Sequence, residues 1–402
     1  MDISLDDVMK AKTTLQGVSY KTALLYNPTI SDLSSNQVYV KMENLQRTGS
    51  FKLRGAYNKI SHLTDKEKQC GVIASSAGNH AQGVAVAASI YGIKSTIVMP
   101  MHAPLSKVTA TRKYGAEVVL YGEVYDDAYN EAQRIQLETK ATFIHPFNDP
   151  MVIAGQGTIA LEILDDLPDV EVVVLPIGGG GLISGVALAL KALNPKIKVI
   201  GVQSKNNPSM QDSISQQHII TINGAPSIAD GIAVKTPGDL TFKLVNNYVD
   251  EIVTVDEDEI ASTMLFFLEN AKVVAEGAGA TAAAAILHSL PHYKNRKMVA
   301  VISGGNVDVN ILARTIDKGL VKNGRKCFLT TIISDRPGAL AQLLQLIASK
   351  GANVLAVTHR RETLDIAISY AKVELELETI DTVQVQTLKN LLEENYYRVI
   401  IQ

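Results

Sequence analysis

The sequence VVVLPIGGGGLISGVALAL occupies residues 172–190 and contains no charged side chain. An apolar run of this length could cross a bilayer as a helix. Pro176 and the glycines Gly178, Gly179, Gly180 and Gly181 stand in its middle, however, and they favour a turn. The stretch is better explained as a buried strand, a glycine turn and a buried helix. It therefore predicts the strand-turn-helix unit of a parallel sheet.

Short β-branched runs alternate with longer helical patterns on both sides of this stretch. Strands are predicted at residues 38–42, 71–74, 95–99, 117–120, 171–176, 198–202 and 297–303. Helices are predicted at residues 79–91, 125–139, 151–166, 182–193 and 256–270. Such alternation is typical of parallel βαβ units with helices on both faces of the sheet, so the predicted fold class is doubly wound α/β.

The alternation stops after Asp317. Residues 318–326 hold two glycines and four basic side chains, which favours an exposed linker. Beyond it we predict a strand at 326–334, a helix opened by residues 335–338, strands at 353–360 and 366–377, a helix at 379–394 and a strand at 396–401. The order βαββαβ predicts a ferredoxin-like sandwich. The expected domains are therefore residues 1–320 and 326–402.

Composition excludes several classes of protein. A chain of 402 residues with 46% hydrophobic and 20% charged residues matches a globular protein of two or three domains. A net charge of −3 and the lack of tryptophan argue against a nucleic-acid partner. Cys70 and Cys327 are too far apart in sequence to suggest a disulfide framework or a paired metal site. We therefore expect a cytoplasmic protein without a metal or a membrane anchor.

Two glycine-rich motifs suggest different roles. Gly178 to Gly181 follow a buried strand and precede a helix, where backbone N–H groups can converge on a phosphate. The alternative is a flexible turn, and the Lys-Ser/Thr ending of an ATP loop is missing. Residues 277–282, GAGATA, match the dinucleotide pattern, but no acidic residue follows at the required distance. Close packing of a helix through small residues explains the second motif better.

Two further clusters carry candidate reactive groups. Lys52 lies in SFKLRG at residues 50–55, where a lysine alone is most simply a solvated surface residue. Ser76, Ala77, Gly78, Asn79 and His80 open a predicted helix, where a carboxylate can bind, although one of these residues could be merely a helix cap. A phosphate loop, a carboxylate site and an amine together suggest an enzyme of amino-acid chemistry, with a cofactor that carries a phosphate and a carbonyl group.

These motifs, in this order, resemble threonine ammonia-lyase (threonine dehydratase), the pyridoxal-phosphate type with one C-terminal ACT domain. The resemblance implies fold type II, with the doubly wound sheets of the tryptophan synthase β subunit. It implies that Lys52 forms the covalent link to pyridoxal 5'-phosphate and that Phe51 lies against its ring. By the same resemblance, Gly178 to Gly181 would hold the phosphate and Ser303 would face the pyridine nitrogen.

The resemblance also implies the reaction. Residues Ser76 to His80 would hold the substrate carboxylate, and Asn79 would also bond the phenolic oxygen of the cofactor. Lys52 would remove the α-hydrogen of L-threonine, and of L-serine as well. Loss of the β-hydroxyl would then give 2-oxobutanoate or pyruvate with ammonia. The catalytic domain is thus expected to be a lyase acting on a small amino acid.

Other functions on this scaffold stay open. One alternative is a serine or hydroxyaspartate dehydratase or racemase, and another is an amino-acid sensor without catalysis. Serine racemases carry a hydroxyl residue where this chain has Ala77, which favours dehydration here. They also carry an acidic metal ligand where this chain has Gln203, so no divalent-metal site is expected.

The C-terminal segment resembles an ACT domain, which implies an amino-acid effector, with Gly338 and Asn353 in contact with it. A nucleotide effector, or a domain that serves only dimerisation, are the alternatives. The resemblance implies a homo-oligomer, a dimer or a tetramer. It leaves open whether the enzyme serves isoleucine biosynthesis or threonine catabolism.

Overall fold

The computed structural model describes residues 3–362 and 366–401. The chain divides into two compact units, Met1–Asp308 and Val309–Gln402, and each unit has its own hydrophobic core.

The first unit is built on two sheets. Its strands are β1 Leu24–Tyr26, β2 Gln37–Lys41, β3 Val72–Ser75, β4 Ser95–Met99, β5 Glu117–Leu120, β6 Thr142–Phe143, β7 Val172–Pro176, β8 Lys198–Ser204, β9 Glu251–Val255 and β10 Lys297–Val301. One sheet has six strands in the order β1-β2-β10-β7-β8-β9, and the other has four in the order β5-β4-β3-β6. Only β1 pairs antiparallel to its neighbour in these two sheets.

Helices cover the sheets of this unit. They are α1 Leu5–Thr14, α2 Pro28–Ser34, α3 Lys52–Ser61, α4 Asp65–Cys70, α5 Asn79–Ile90, α6 Leu105–Lys113, α7 Tyr125–Thr139, α8 Pro150–Asp166, α9 Gly181–Leu193, α10 Ser209–Gln216, α11 Asp239–Tyr248, α12 Glu257–Phe266 and α13 Gly277–His288. Short 3-10 turns occur at Glu43–Leu45 and Asp230–Ile232, and one π-helical turn occurs at Phe267–Ala271.

Strand β7 shows how the sequence determines the layers. All five of its residues are buried, and successive side chains point to opposite faces of the sheet. Val173 and Leu175 join one hydrophobic core, whereas Val172 and Val174 join the other. Both faces are therefore covered, which explains the apolar run and confirms the predicted strand-turn-helix unit at residues 172–190.

Helix ends follow the expected capping rules. Asp149 caps α8 by accepting hydrogen bonds from the N–H groups of Met151 and Val152 at 2.8 and 3.1 Å, and Pro150 occupies the first helical position. Asp256 caps α12 and accepts from the Glu259 N–H at 2.9 Å. Helix α13 contains the GAGATA motif and is buried from Gly277 to Ile286, which confirms that small residues there serve packing.

The second unit has the predicted ferredoxin-like order. It contains α14 Val309–Lys322, β11 Lys326–Ser334, α15 Ala339–Ser349, β12 Asn353–Arg360, β13 Tyr370–Glu378, α16 Thr382–Glu394 and β14 Val399–Ile401. Its sheet has the strand order β12-β13-β11-β14, and all its pairs are antiparallel. Leu343, Ile347, Leu388 and Leu392 of the two helices pack on one face of this sheet.

The predicted linker at residues 318–326 is wrong in its first half. Residues 318–322 complete α14, and Gly319 is buried on the packed side of that helix. Glycine and basic residues favour an exposed linker, but here they continue a helix. Helix α14 also belongs to the second unit, so this unit begins at Val309.

No helix within residues 3–362 and 366–401 combines the length and apolar character needed to cross a membrane.

Candidate active site

The predicted site residues lie at the carboxyl ends of parallel strands in both sheets. Gly178 to Gly181 follow β7, Ser303 follows β10, and Ser76 to His80 follow β3. Ligands of open α/β sheets bind at such strand ends. Lys52 lies at the start of α3, which packs between α5 and α8.

Backbone hydrogen bonds tie Lys52 to the segment after β10. The Phe51 N–H donates to the carbonyl oxygen of Ser303 at 3.1 Å, and Ser50 pairs with Gly304 in an isolated antiparallel bridge. Ser303 is only 2% exposed. The proposed reactive amine and Ser303 are thus held on neighbouring backbone segments.

The amine of Lys52 is fixed by a hydrogen bond, and burial lowers its pKa. Its Nζ donates to the carbonyl oxygen of Pro146 at 2.8 Å and lies 5.2 Å from the ring centroid of Phe51. Removal of the amine from solvent lowers its pKa to about 8, and the carboxylate of Glu276 partly offsets this effect. A lysine with such a pKa can accept a proton near neutral pH.

The glycine turn exposes backbone instead of side chains. Gly180 adopts a left-handed conformation with φ +95° and caps α9 without a side-chain hydrogen bond. A Cβ at Gly179 would lie 2.4 Å from the ring of Phe147, so a larger residue does not fit there. Thr241 fixes the turn by donating its hydroxyl to the Gly179 carbonyl oxygen at 2.6 Å. The free helix N-terminus and the bare backbone suit an anion.

Residues Ser76 to His80 lead from β3 into α5. Ser76 accepts the Gly78 N–H through its Oγ at 3.1 Å, which shapes the loop, and Asn79 is the first residue of the helix. Ser76, Ala77, Gly78 and Asn79 are half-buried. Amide donors at the start of a helix are suited to a carboxylate.

His80 is buried behind this loop as a neutral side chain. Its Nε2 lies 2.7 Å from the carbonyl oxygen of Ile144 and must donate, because that oxygen can only accept. Its Nδ1 is then an acceptor, and it is buried without a hydrogen-bond partner in the described part of the chain. Burial and the charge of Lys52 lower the pKa of His80 to about 3.

Residues 144–148, here called the connector, contact His80, Lys52 and the glycine turn. The connector links β6 of the smaller sheet to α8 beside the larger sheet. Ile144 accepts from His80, Pro146 accepts from Lys52, and Phe147 contacts the glycine turn. Asn148 binds the start of α11 through hydrogen bonds with Asp239 and Leu240.

A network of amides and one acid surrounds Asn79. Its Nδ2 donates to Oε1 of Glu276 at 2.6 Å, and its Oδ1 accepts from Nδ2 of Asn306 at 2.8 Å. Asn306 also donates to the carbonyl oxygen of Thr48 at 2.7 Å. Burial and the nearby charge of Asp230 raise the pKa of Glu276 to about 7.

Sequence reasoning missed Glu276, Asn306 and the connector. Glu276 is the one acidic residue within residues 270–290, which is an available signal, but it was overlooked beside the GAGATA motif. Asn306 stood within the ISGGN motif at residues 302–306 without a role. The connector gave no signal, because backbone carbonyl oxygens make its contacts with Lys52 and His80, and its Phe147 and Asn148 side chains belong to no recognisable motif.

Buried ion pairs support α3 behind Lys52. Arg54 donates to Glu43 at 2.8 Å through both Nε and Nη2, and its Nη1 donates to Glu162 at 2.6 Å. Lys41 donates to Glu162 at 2.6 Å. These four residues are at most 9% exposed and carry equal numbers of positive and negative charges. They join β2, α3 and α8.

Both polar atoms of the Gln203 amide are bonded to protein. It is buried, donates to the Asn207 carbonyl oxygen at 3.3 Å and accepts the Gln211 N–H at 2.8 Å. The described residues contain no group of three or more His, Cys, Asp or Glu side chains that could hold a metal ion.

The second unit contains a pocket of about 250 Å³ at the turn between β11 and α15. Its lining includes Asp335, Gly338, His359 and Arg361. Arg361 donates to Asp335 at 2.8 Å, and Nε2 of His359 is buried without a hydrogen-bond partner in the described residues. Gly338 thus lines the pocket, whereas Asn353 starts β12 and donates to Glu378 at 3.1 Å.

Comparison with known proteins agrees with this geometry. The family model described as pyridoxal-phosphate dependent enzyme matches residues 15–304. The L-threonine ammonia-lyase of Thermotoga maritima is 58% identical, over 99% of both chains. The catabolic L-threonine dehydratase TdcB of Escherichia coli is 49% identical over 77% of this chain and 95% of its own.

Solved structures confirm the predicted fold. Threonine deaminase isoform 2 of Solanum lycopersicum has a TM-score of 0.74 and 37% identity, covering 78% of this chain and 86% of its own. Maize serine racemase has a TM-score of 0.75 and 36% identity, covering 80% of this chain and 99% of its own. With these matches, the chain belongs to the pyridoxal-phosphate-dependent enzymes and, within them, to the threonine ammonia-lyase family.

Proposed function

We propose that this chain converts L-threonine into 2-oxobutanoate and ammonia, and L-serine into pyruvate and ammonia, with pyridoxal phosphate as cofactor. The observation that carries the proposal is the amine of Lys52, held on the connector with a pKa of about 8. The names of the relatives from Thermotoga maritima and Escherichia coli support threonine as the substrate.

The residues present fit the cofactor. The glycine turn has no side-chain cap, so its N–H groups can bind the cofactor phosphate. Phe51 would lie against the cofactor ring, and the neighbouring Lys52 amine would react with its carbonyl carbon. Ser303 would face the pyridine nitrogen. A hydroxyl there does not enforce protonation as a carboxylate would.

The bound cofactor supplies an electron-withdrawing group that makes the α-hydrogen of the substrate acidic. Ser76, Ala77, Gly78, Asn79 and His80 would orient the substrate carboxylate at the start of α5. Lys52 would then take the α-proton at its Nζ, since its lowered pKa leaves an unprotonated fraction near neutral pH.

Ala77 favours dehydration over racemisation. A racemase needs a second proton-transfer group on the opposite face of the substrate, and the methyl group of Ala77 cannot exchange a proton. We therefore propose L-specific elimination, although serine racemases share the fold.

We also propose that residues 326–402 form an ACT domain that regulates the catalytic unit, Met1–Asp308. The ferredoxin-like fold and the pocket lined by Gly338 support this assignment. Arg361 and the unpartnered His359 nitrogen would suit the carboxylate of a small amino acid. Asn353, which is expected to contact an effector, does not line this pocket. A nucleotide is the alternative ligand.

We further propose that the chain forms a homo-oligomer in the cytoplasm. The antiparallel sheet of the second unit has the edge strands β12 and β14, which can pair with another copy, so we propose a homodimer or homotetramer. The two cysteines, Cys70 and Cys327, are both free thiols, which supports the reducing cytoplasm.

One assay tests substrate and effector together. Release of 2-oxo acid from L-threonine and L-serine is measured with the full-length, cofactor-loaded protein, with and without isoleucine, valine and nucleotides. Activity on L-threonine with little formation of D-serine is expected. Failure to release 2-oxobutanoate would overturn the proposed reaction, and a rate unaffected by every effector would overturn the regulatory role.

Arg361→Ala provides a second test of the pocket. This variant is expected to keep the basal rate and to lose the response to the effector. A full response in the variant would contradict the location of the effector site. Exposed Lys350, outside the pocket lining, offers a matched control, because Lys350→Ala should retain the response.

A further inference from the structure

Glu276 holds Asn79 in one orientation. Both polar atoms of the Asn79 amide are engaged by protein, because Oδ1 accepts from Asn306 and Nδ2 donates to Glu276. Asn306 is itself fixed by donating to the Thr48 carbonyl oxygen at 2.7 Å. A continuous series of hydrogen bonds therefore runs from the segment before Lys52 through both amides to Glu276.

The amide nitrogen of Asn79 retains a second hydrogen. An asparagine NH₂ group carries two donors, and Glu276 takes one of them. The two hydrogens lie in the amide plane, so fixing one direction also fixes the other. If Asn79 contacts the phenolic oxygen of the cofactor, the second hydrogen is the one it offers.

Glu276 is also in contact with the turn that carries Ser303. Its N–H donates to the Gly304 carbonyl oxygen at 3.1 Å, and a Cβ on Gly304 would lie 2.3 Å from its Oε1. The side chain of Glu276 is 5% exposed. One buried carboxyl thus contacts both Asn79 and the turn after Ser303.

We propose that Glu276 is a positioning residue for the reaction, which aims the free N–H of Asn79 at the phenolic oxygen of pyridoxal phosphate. This inference rests on the proposed role of Asn79. A carboxylate strengthens the hold on Asn79, because hydrogen bonds to an ionised acceptor are stronger than neutral ones. The hold therefore depends on the protonation state of Glu276.

The charged groups around Glu276 come from three elements. Asp230 in a 3-10 turn favours the protonated form, whereas Lys107 of α6 favours the ionised form. Lys107 and Asp230 are themselves paired at 2.8 Å. The third charged group is Lys52 at the start of α3, and an ionised Glu276 raises the pKa of Lys52. With its own pKa at about 7, Glu276 gains its charge in the neutral range.

The test uses Glu276→Gln in the cofactor-loaded protein. Without substrate, the visible absorption of the bound cofactor is titrated from pH 5.5 to 9. We expect a transition near pH 7 in the parent protein and none in the variant. We also expect a kcat lower by roughly 10- to 100-fold, with KM nearly unchanged, because a misdirected contact affects the reacting geometry. The same transition in both proteins would overturn the proposal.

Two further variants keep the result interpretable. Glu257→Gln removes another hydrogen-bonded carboxylate of this unit, which binds Ser227 and Ile228 outside the network, and it should leave the transition in place. If Glu276→Gln does not fold, Glu276→Asp keeps an acid with a shorter reach. An unshifted midpoint in Glu276→Asp would then overturn the proposal.

Asn79→Ala separates this inference from the proposed function. Loss of the transition in Asn79→Ala, together with its persistence in Glu276→Gln, would refute only the role of Glu276. An unchanged spectrum and rate in Asn79→Ala would refute the proposed role of Asn79 itself.

Discussion

The N–H of Phe51 donates a hydrogen bond to the carbonyl oxygen of Ser303 at 3.1 Å. Phe51 directly precedes Lys52, the proposed base, and Ser303 is proposed to face the pyridine nitrogen. Lys52 and Ser303 therefore keep a fixed backbone spacing, which preorganises the two ends of the site.

Lys52→Ala should abolish catalysis without unfolding the protein. The amine is the proposed base and the proposed covalent link to the cofactor, so the visible cofactor band should disappear. The rate of 2-oxobutanoate release should fall by roughly 10²- to 10⁴-fold. Exposed Lys66 supplies the control, since Lys66→Ala should behave like the parent protein. Full activity in Lys52→Ala would disprove the assignment.

Gly179→Ala should weaken cofactor binding. The new methyl group would meet the ring of Phe147 at 2.4 Å, and relief of that contact would distort the turn. Overpacking of this kind costs about 1 to 3 kcal/mol, which is roughly a 5- to 150-fold increase in Kd if it falls on the bound state. Fluorescence titration of the cofactor-free protein measures this change. Combining the substitution with Phe147→Leu should restore part of the affinity, and a double variant as weak as the single one would contradict the steric explanation.

Arg54→Met should destabilise the first unit. The substitution leaves Glu43 fully buried without its guanidinium partner and leaves Glu162 paired only with Lys41. Breaking a buried pair in this way costs about 3 to 5 kcal/mol. Urea unfolding measures the difference, and Arg296→Met, which removes a solvent-exposed pair with Glu171, should have a much smaller effect. Equal effects of the two substitutions would argue against the supporting role of Arg54.

The buried histidine predicts sensitivity to acid. His80 has a folded-state pKa of about 3, below the ordinary value of 6.5, so the unfolded chain binds the proton first as pH falls. Stability is therefore complete above pH 6.5 and decreases as pH falls towards 3, by about 1.4 kcal/mol per pH unit for one such group. Urea unfolding at pH 7, 6 and 5 should show a shallower loss in His80→Asn than in the parent protein. An identical slope in the two proteins would be inconsistent with a buried neutral His80.

Much of the fold was predictable because burial imposes strong patterns. Strands β4 and β5 and helix α7 begin and end at the predicted residues, since apolar runs and a long amphipathic stretch define them. The short antiparallel strand β1 was missed, because three half-buried or exposed residues form no pattern. Residues 318–322 were expected in a linker, because glycine and basic residues favour exposure, but they complete helix α14.

The site was predictable where chemistry requires a particular residue type. The amine of Lys52 and the glycine turn are such cases, and the structure places both at strand or helix ends of one unit. Glu276 and Asn306 each make one hydrogen bond with Asn79, which is far away in sequence. No local sequence pattern predicts such a contact. The connector holds Lys52 and His80 through main-chain carbonyl oxygens, which every residue has, whereas its Phe147 and Asn148 side chains contact residues far away in sequence.

The connector also limits how the first unit can move. It is the covalent path from β6 of the smaller sheet to α8 beside the larger sheet, and it is hydrogen-bonded to Lys52 and His80 on the way. The chain also crosses between the two sheets from β2 to β3, so the sheets are joined at two places. A relative movement of the sheets would displace the carbonyl oxygens of Pro146 and Ile144 from Lys52 and His80, and the position of the reactive amine therefore depends on how the two sheets are placed.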